Sequence, residues 1–227
     1  MLLRTLVLSW LLVGIAAPAW GDFRDGMNAY LKGDYAMAVR EIKPLAEQGN
    51  SGAQLLLGIM YRLGRGVPQS DKDAAKWYRK AADKGIARAQ YNLGRLYHKG
   101  EGVPKDRKEA ARWYRKAAEQ SVPIAMHRLG IAYADGKGVD RDDGEAAGWY
   151  RKAAELGYAP SQFMLGEMYR AGRGVPKDRV RAYTWFSLSA DQGNAAAAAA
   201  RAALRKKMSK ADRSRAETVA QEWRDRQ

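Results

Sequence analysis

Residues 53–88 read AQLLLGIMYRLGRGVPQSDKDAAKWYRKAADKGIAR, and residues 89–124 read AQYNLGRLYHKGEGVPKDRKEAARWYRKAAEQSVPI. Laid over each other, the two stretches share a step of 36 residues, and that step continues down the chain without a slip. It carries Ala53 to Ala89, Ala125 and Ser161, Gly58 to Gly94, Gly130 and Gly166, and Tyr61 to Tyr97, Tyr133 and Tyr169. Glycine pairs follow at Gly64/Gly66, Gly100/Gly102, Gly136/Gly138 and Gly172/Gly174, and then Trp77, Trp113, Trp149 and Trp185. Self-similarity at such a period marks a stack of supersecondary units, none able to bury its apolar face alone. Four full units are read at 53–88, 89–124, 125–160 and 161–196.

Within a unit the spacing predicts two helices. Ala53, Leu57, Gly58 and Tyr61 lie three and four apart, the apolar stripe of a first helix, A, that stops where Gly64 takes a left-handed conformation. Gly58 inside that helix costs roughly 1 kcal/mol of propensity, so its recurrence predicts close helix approach. Helix B opens on pairs three residues apart, Ser70 with Asp73, Asp106 with Glu109 and Asp142 with Glu145, which predicts reciprocal capping boxes. Unit four departs from this with Asp178 and Arg181. Helix B carries Ala74, Trp77, Tyr78, Ala81 and Ala82; each such Trp, if buried, removes about 150 to 250 Å² from water, roughly 4 to 6 kcal/mol at most. Gly85, Gly157 and Gly193 end their helices, while Ser121 stands in the remaining place with Pro123 after it.

The flanks complete the stack. Residues 22–52, with Tyr30, Gly33-Asp34-Tyr35, Ala38, Ala46 and Gly49, read as a degenerate N-terminal helix pair. Residues 197–227 read as C-terminal capping helices, the last opened by Ser209 with Asp212 and running through Trp223. End units with one polar face are what a solenoid requires. The expected fold is all-α. Ahead of it, residues 1–21 combine Arg4 in a basic start with an apolar stretch from Thr5 to about Ala17, too short for a comfortable membrane span and of the length of a secretory signal. Cleavage is expected after Gly21 or Ala19, giving an exported chain, periplasmic in a Gram-negative cell and otherwise secreted. Without Cys it carries no lipoprotein signal.

The pattern Ala-x-x-x-Leu-Gly-x-x-Tyr-x-x-Gly-x-Gly-Val, followed by Asp and then Ala-x-x-Trp-Tyr-x-x-Ala-Ala, resembles the Sel-like repeat family, relatives of the tetratricopeptide repeats. The resemblance implies a right-handed α/α solenoid acting as a protein-protein adaptor. Bacterial members often act in the cell envelope, in polysaccharide export or its regulation, or in host contact. Some cysteine-rich relatives are described as penicillin-binding or β-lactamase-like, which makes a hydrolase the enzymatic alternative. Binding of an envelope glycan, peptidoglycan or an anionic polysaccharide, is a further alternative.

Composition bears on these choices. The 227 residues hold no Cys and only two His, with 40 Lys+Arg against 25 Asp+Glu, a formal charge of +15. Disulfides, thiol nucleophiles and thiolate metal sites are excluded. The sequence also lacks Ser-x-x-Lys, Gly-x-Ser-x-Gly and His-Glu-x-x-His, the usual signatures of serine acylation and zinc hydrolysis. No enzyme, cofactor or metal site is expected; His98 and His127 have no apparent third ligand. The Gly-x-Gly loops follow a helix rather than a strand and read as turns, and the Trp-Tyr pairs read as core. Units one and two carry charges of +5 and +4, unit three −1, unit four +2 and residues 197–227 +5. This balance suits an acidic protein, an anionic glycan or a membrane surface; nucleic acid is not expected in an exported chain, and a monomer is.

Two basic surfaces compete as the binding face. A ladder on helix B, Arg79-Lys80, Arg115-Lys116 and Arg151-Lys152, reads as solvated, with Asp83, Glu119 and Glu155 four residues after each Arg to pair along the helix. If helix A instead faces the concave side, as in tetratricopeptide repeats, its open positions are Leu55, Ile59, Arg62 and Leu63, then Tyr91, Arg95, His98 and Lys99, then His127, Ile131 and Asp135, then Phe163, Glu167 and Arg170. That mixture of apolar, aromatic and basic side chains suits an acidic or amphipathic partner segment.

Overall fold

A computed structural model describes residues 22–225; the expected signal segment, 1–21, lies outside them. The described residues form twelve helices and no strands. An N-terminal pair, α1 (Phe23–Leu31) and α2 (Tyr35–Glu47), precedes four two-helix units. These are α3 (Ser51–Leu63) with α4 (Asp71–Asp83), α5 (Ala87–Lys99) with α6 (Arg107–Glu119), α7 (Pro123–Asp135) with α8 (Asp143–Glu155), and α9 (Ala159–Ala171) with α10 (Arg179–Asp191). Then α11 (Ala195–Arg205) and α12 (Lys210–Asp225) close the end, both packing against α10. Elsewhere each helix packs chiefly on the helices before and after it in the chain, as a solenoid requires.

Helix ends follow the glycine code. Gly64, Gly100, Gly136 and Gly172 all adopt left-handed conformations and close the first helix of their units. The glycine two residues later has a separate purpose. A Cβ on Gly102 would collide with the backbone of Asp71, and one on Gly138 or Gly174 with that of Arg107 or Asp143. Each loop is thus laid directly on the first turn of the preceding unit's second helix, and only glycine permits that approach. At Ser121 a non-glycine residue holds a φ of 61°, where the sister turns use glycine.

The core is built from the repeated positions. Trp77, Trp113, Trp149 and Trp185 are 4–8% exposed. Gly58, Gly94, Gly130 and Gly166 admit the rings of Tyr78, Tyr114, Tyr150 and Phe186, where any Cβ would lie under 3.0 Å from a ring carbon. Buried glutamines tie successive units: Gln54, Gln90 and Gln162 donate from Nε2 to the carbonyls of Ala46, Ala82 and Ala154 at 3.1 to 3.2 Å, each a second bond to a carbonyl that also accepts from its own capping turn. In unit three Met126 takes the glutamine's place.

The predicted capping boxes form by half. Asp106 Oδ1 accepts the Glu109 amide at 2.9 Å, and Asp142 Oδ1 accepts the Glu145 amide at 2.9 Å. The return bonds are not made, because the Asp106 and Asp142 amides donate to the carbonyls of Tyr97 and Tyr133. Glu109 and Glu145 accept instead from the indole N–H of Trp113 at 2.8 Å and Trp149 at 3.1 Å. A buried indole must find an acceptor, and that need takes precedence over the box.

Candidate functional site

Repetition aligns the open positions of the four first helices into rows. Leu55, Tyr91, His127 and Phe163 occupy one repeat position, and Ile59, Arg95, Ile131 and Glu167 the next turn. The aromatic row is half-buried, because each member lies on its own unit's second helix. The ring centroids of Tyr91 and Tyr114 are 5.9 Å apart, those of His127 and Tyr150 5.5 Å, and those of Phe163 and Phe186 5.9 Å. Leu55 and Ile59 cover the cluster that contains Tyr78. The row therefore roofs the core and shows one edge to solvent.

The cations on this face differ in how far the fold has used them. Arg62 is engaged internally, with Nη1 3.1 Å from Asp71 Oδ1 and 2.9 Å from Glu101 Oε2. Lys99 pairs with Glu101 at 3.2 Å, and Arg170 with Glu167. Arg95 enters none of the ion pairs among the described residues, and its buried Nε has no hydrogen-bond partner in the protein. The two histidines part company. His127 is held between Tyr150 and Tyr158, with Nδ1 2.9 Å from Ser161 Oγ; burial, with Arg128 adding to it, pushes its pKa down to about 4. It is neutral at pH 7 and serves as an aromatic, polar spacer. His98 stays exposed beside Tyr114, its pKa lowered by partial burial and then by Arg128, Arg107, Lys105 and Lys137. Among the described residues no three His, Cys, Asp or Glu side chains are grouped to hold a metal ion.

Arg107, Arg128 and Lys137 were not among the sequence-derived positions. They line a recess of about 140 Å³ with His98, Tyr114 and Asp135, between units two and three. The signal was present as a comparison across units at one repeat position, where acid gives way to base.

The basic ladder on the second helices is exposed at Lys80, Lys116, Arg151 and Lys152, as expected, but it is not paired along the helix. Arg79, Arg115 and Arg151 donate to the hydroxyls of Tyr97, Tyr133 and Tyr169, each in the following unit. Lys80, Lys116 and Lys152 place their ammonium groups 4.2 to 4.5 Å from the ring centroids of Trp77, Trp113 and Trp149. The expected pairs with Asp83, Glu119 and Glu155 are not among the ion pairs formed. A tyrosine hydroxyl and an aromatic face at a unit boundary orient a planar guanidinium better than a mobile carboxylate on open surface does. The arginines of the ladder thus join successive units, while its lysines cover a Trp of their own helix.

The comparisons agree with this architecture. A protective antigen of uropathogenic Escherichia coli, described as displaying an SLR fold, superposes with a TM-score of 0.75 at 39% sequence identity, over 77% of this chain and 38% of its own. The chain thus spans well under half of that protein's length. A Sel1 repeat protein of Oxalobacter formigenes gives a TM-score of 0.74 at 38% identity, covering 78% of this chain and 72% of that one. No curated protein matches the chain in sequence. The Sel1 repeat itself is matched at residues 51–86, 87–122, 123–158 and 159–194. Each matched segment begins at or beside the start of a unit's first helix, and together they take in more than half of the chain, which therefore belongs to the Sel1 repeat family.

Proposed function

We propose that this protein is an exported, non-catalytic interaction scaffold of the bacterial cell envelope that holds an acidic or amphipathic segment of a partner protein along the face of α3, α5, α7 and α9. The observation that carries this reading is Arg95. Its guanidinium stands between Tyr91 and His98 on α5, has no carboxylate partner among the described residues, and keeps a buried, unbonded Nε. Arg95 is only part-buried, so the rest of its guanidinium is open to a carboxylate from a partner. The half-buried row of Leu55, Tyr91, His127 and Phe163 offers apolar anchors beside it, the combination typical of binding hot spots.

Export is supported by the basic and apolar start of the sequence. Among the described residues no helix is long and apolar enough to cross a membrane. Absence of catalysis accords with the missing nucleophile motifs, and nitrocefin turnover by the purified protein checks it; the expected rate is that of buffer alone.

The test of the binding face is photo-crosslinking from positions 91 and 98 in cells, with mass spectrometry of the captured species, repeated with Arg95→Glu. Loss of the crosslinked species with Arg95→Glu, and its retention with Lys76→Glu on α4, is the expected result. Equal yields in both variants contradict the assignment. Capture of peptidoglycan or an anionic polysaccharide in place of protein identifies a glycan-binding module instead.

A further inference from the structure

Each loop between the two helices of a unit rests on the first residue of the preceding second helix, which sets the loop residue between the two glycines beside that helix start. The structure contains this junction four times. Arg65 stands 5.3 Å from the ring centroid of Tyr35. Asp71 and Glu101 are bridged by Arg62 at 3.1 and 2.9 Å. Asp143 meets Arg173 at 3.7 Å. Two of these junctions are complementary in themselves, cation to ring and cation to carboxylate, and the like-charged Asp71 and Glu101 are made so by Arg62.

The fourth breaks the rule. Between units two and three the same two positions hold Arg107 and Lys137, both basic, and Gly138 seats the loop against the Arg107 backbone. Where Arg62 stands one unit earlier there is His98, and Arg128 replaces Asn92. The recess contains one acid, Asp135, and it is already bound to Lys137 at 2.7 Å. Arg107 and Arg128 enter none of the ion pairs among the described residues. Like charges forced together in a partly enclosed site destabilise each other unless an anion joins them.

We infer that the recess formed by His98, Arg107, Arg128 and Lys137 binds a carboxylate of the partner, an Asp or Glu side chain of its acidic segment, which joins the cations as the Arg62 guanidinium joins Asp71 and Glu101 at the preceding junction. At the preceding junction the fold joins two like charges through one group of opposite sign, Arg62, and here a carboxylate is that group. Tyr114 and Ile131 form an apolar wall of the recess, so the ligand is an acidic residue flanked by apolar ones rather than a bare polyanion. Gly138, seated on the Arg107 backbone, keeps the two chain segments that carry Arg107 and Lys137 side by side before the ligand arrives.

This inference rests on the scaffold reading, and its test is separate from the crosslinking above. Full-length protein is titrated against fluorescein-labelled hexaglutamate by anisotropy, with hexaglutamine as the neutral control. Arg107→Asp recreates the Asp143–Arg173 pattern with Lys137, so the fold is expected to persist, as a thermal melt verifies. It should weaken hexaglutamate at least tenfold, and so should Lys137→Glu, while Lys76→Glu leaves it within twofold. Failure of hexaglutamate to bind, or unchanged affinity in both recess variants, overturns the inference and leaves the crosslinking result standing by itself. Competition by inorganic phosphate or polygalacturonate as strong as by unlabelled hexaglutamate also overturns it, assigning the recess to small anions or to acidic glycan.

Discussion

The Arg151 guanidinium donates to the Tyr169 hydroxyl at 3.0 Å, joining the second helix of one unit to the first helix of the next. Arg79 with Tyr97 and Arg115 with Tyr133 repeat the bond at the same spacing of 18 residues. These arginines couple neighbouring units, and nearest-neighbour coupling is what makes a repeat array unfold together. Replacing Arg115 by Ala should cost about 1 to 2 kcal/mol and lower the urea m-value by loosening cooperativity. A urea melt followed by circular dichroism checks both; an unchanged midpoint and m-value would mean that these arginines do not couple the units.

Trp113 is 4% exposed and donates to Glu109. Trp113→Ala should therefore cost roughly 3 to 5 kcal/mol, and Glu109→Ala about 1 to 3 kcal/mol by leaving the indole N–H unpaired. The double variant should fall short of the sum, since the two deletions remove one shared bond. Denaturant titration of all three proteins measures the coupling.

Two glycines of similar φ separate conformational strain from close packing. Gly85 has a φ of 86° and open space around a would-be Cβ, while Gly102 has a φ of 67° and the Asp71 backbone in that place. Gly85→Ala should cost about 1 kcal/mol, the ordinary penalty of a left-handed residue. Gly102→Ala should cost several times more, because backbone cannot move aside as a flexible side chain can. Equal losses in thermal melts would mean that the loops do not rest on the preceding unit.

His127 gives a pH signature. Its folded pKa lies near 4, below the 6.5 expected unfolded, because burial among Tyr150, Tyr158 and Ser161 disfavours the imidazolium and Arg128 adds like charge. Below pH 6.5 the unfolded chain takes up a proton that the folded one refuses, so stability falls as pH drops from about 6.5 to about 4 and this contribution then levels off. The loss from this group is about 2 to 3 kcal/mol. His127→Phe, which copies Phe163 of the next unit, should flatten that slope, and urea melts at pH 7 and pH 4.5 on both proteins measure the difference.

Much of this was legible in the sequence because a 36-residue period repeats its own evidence. Trp113 as core, Gly64 as helix terminator and Gly58 as a point of close approach each appear four times over, so a single-site accident is ruled out. What escaped reading lies between units rather than within them. Arg79 has Asp83 four residues away in sequence, yet its actual partner is Tyr97 in the next unit, visible only once the stack is assembled. Glu109 sits where a capping box calls for it, but the indole of Trp113 competes for the same carboxylate. Arg107 and Lys137 are not singled out by the sequence, because nothing in the linear spacing shows that residue 137 is laid over residue 107. His127 occupies a position open in the linear reading and is closed over by Tyr158, where earlier units place Ile86 and Val122.

The face of α3, α5, α7 and α9 as the binding surface is tested most directly by a photoreactive amino acid placed in turn at position 98 and at position 76, which is exposed on α4. Irradiation in cells, followed by mass spectrometry of the crosslinked peptides, should give from position 98 one partner protein whose captured segment contains Asp or Glu beside apolar residues, with nothing comparable from position 76. Capture of the same partner from position 76 but not from position 98 would place the interaction on the second helices and contradict the account.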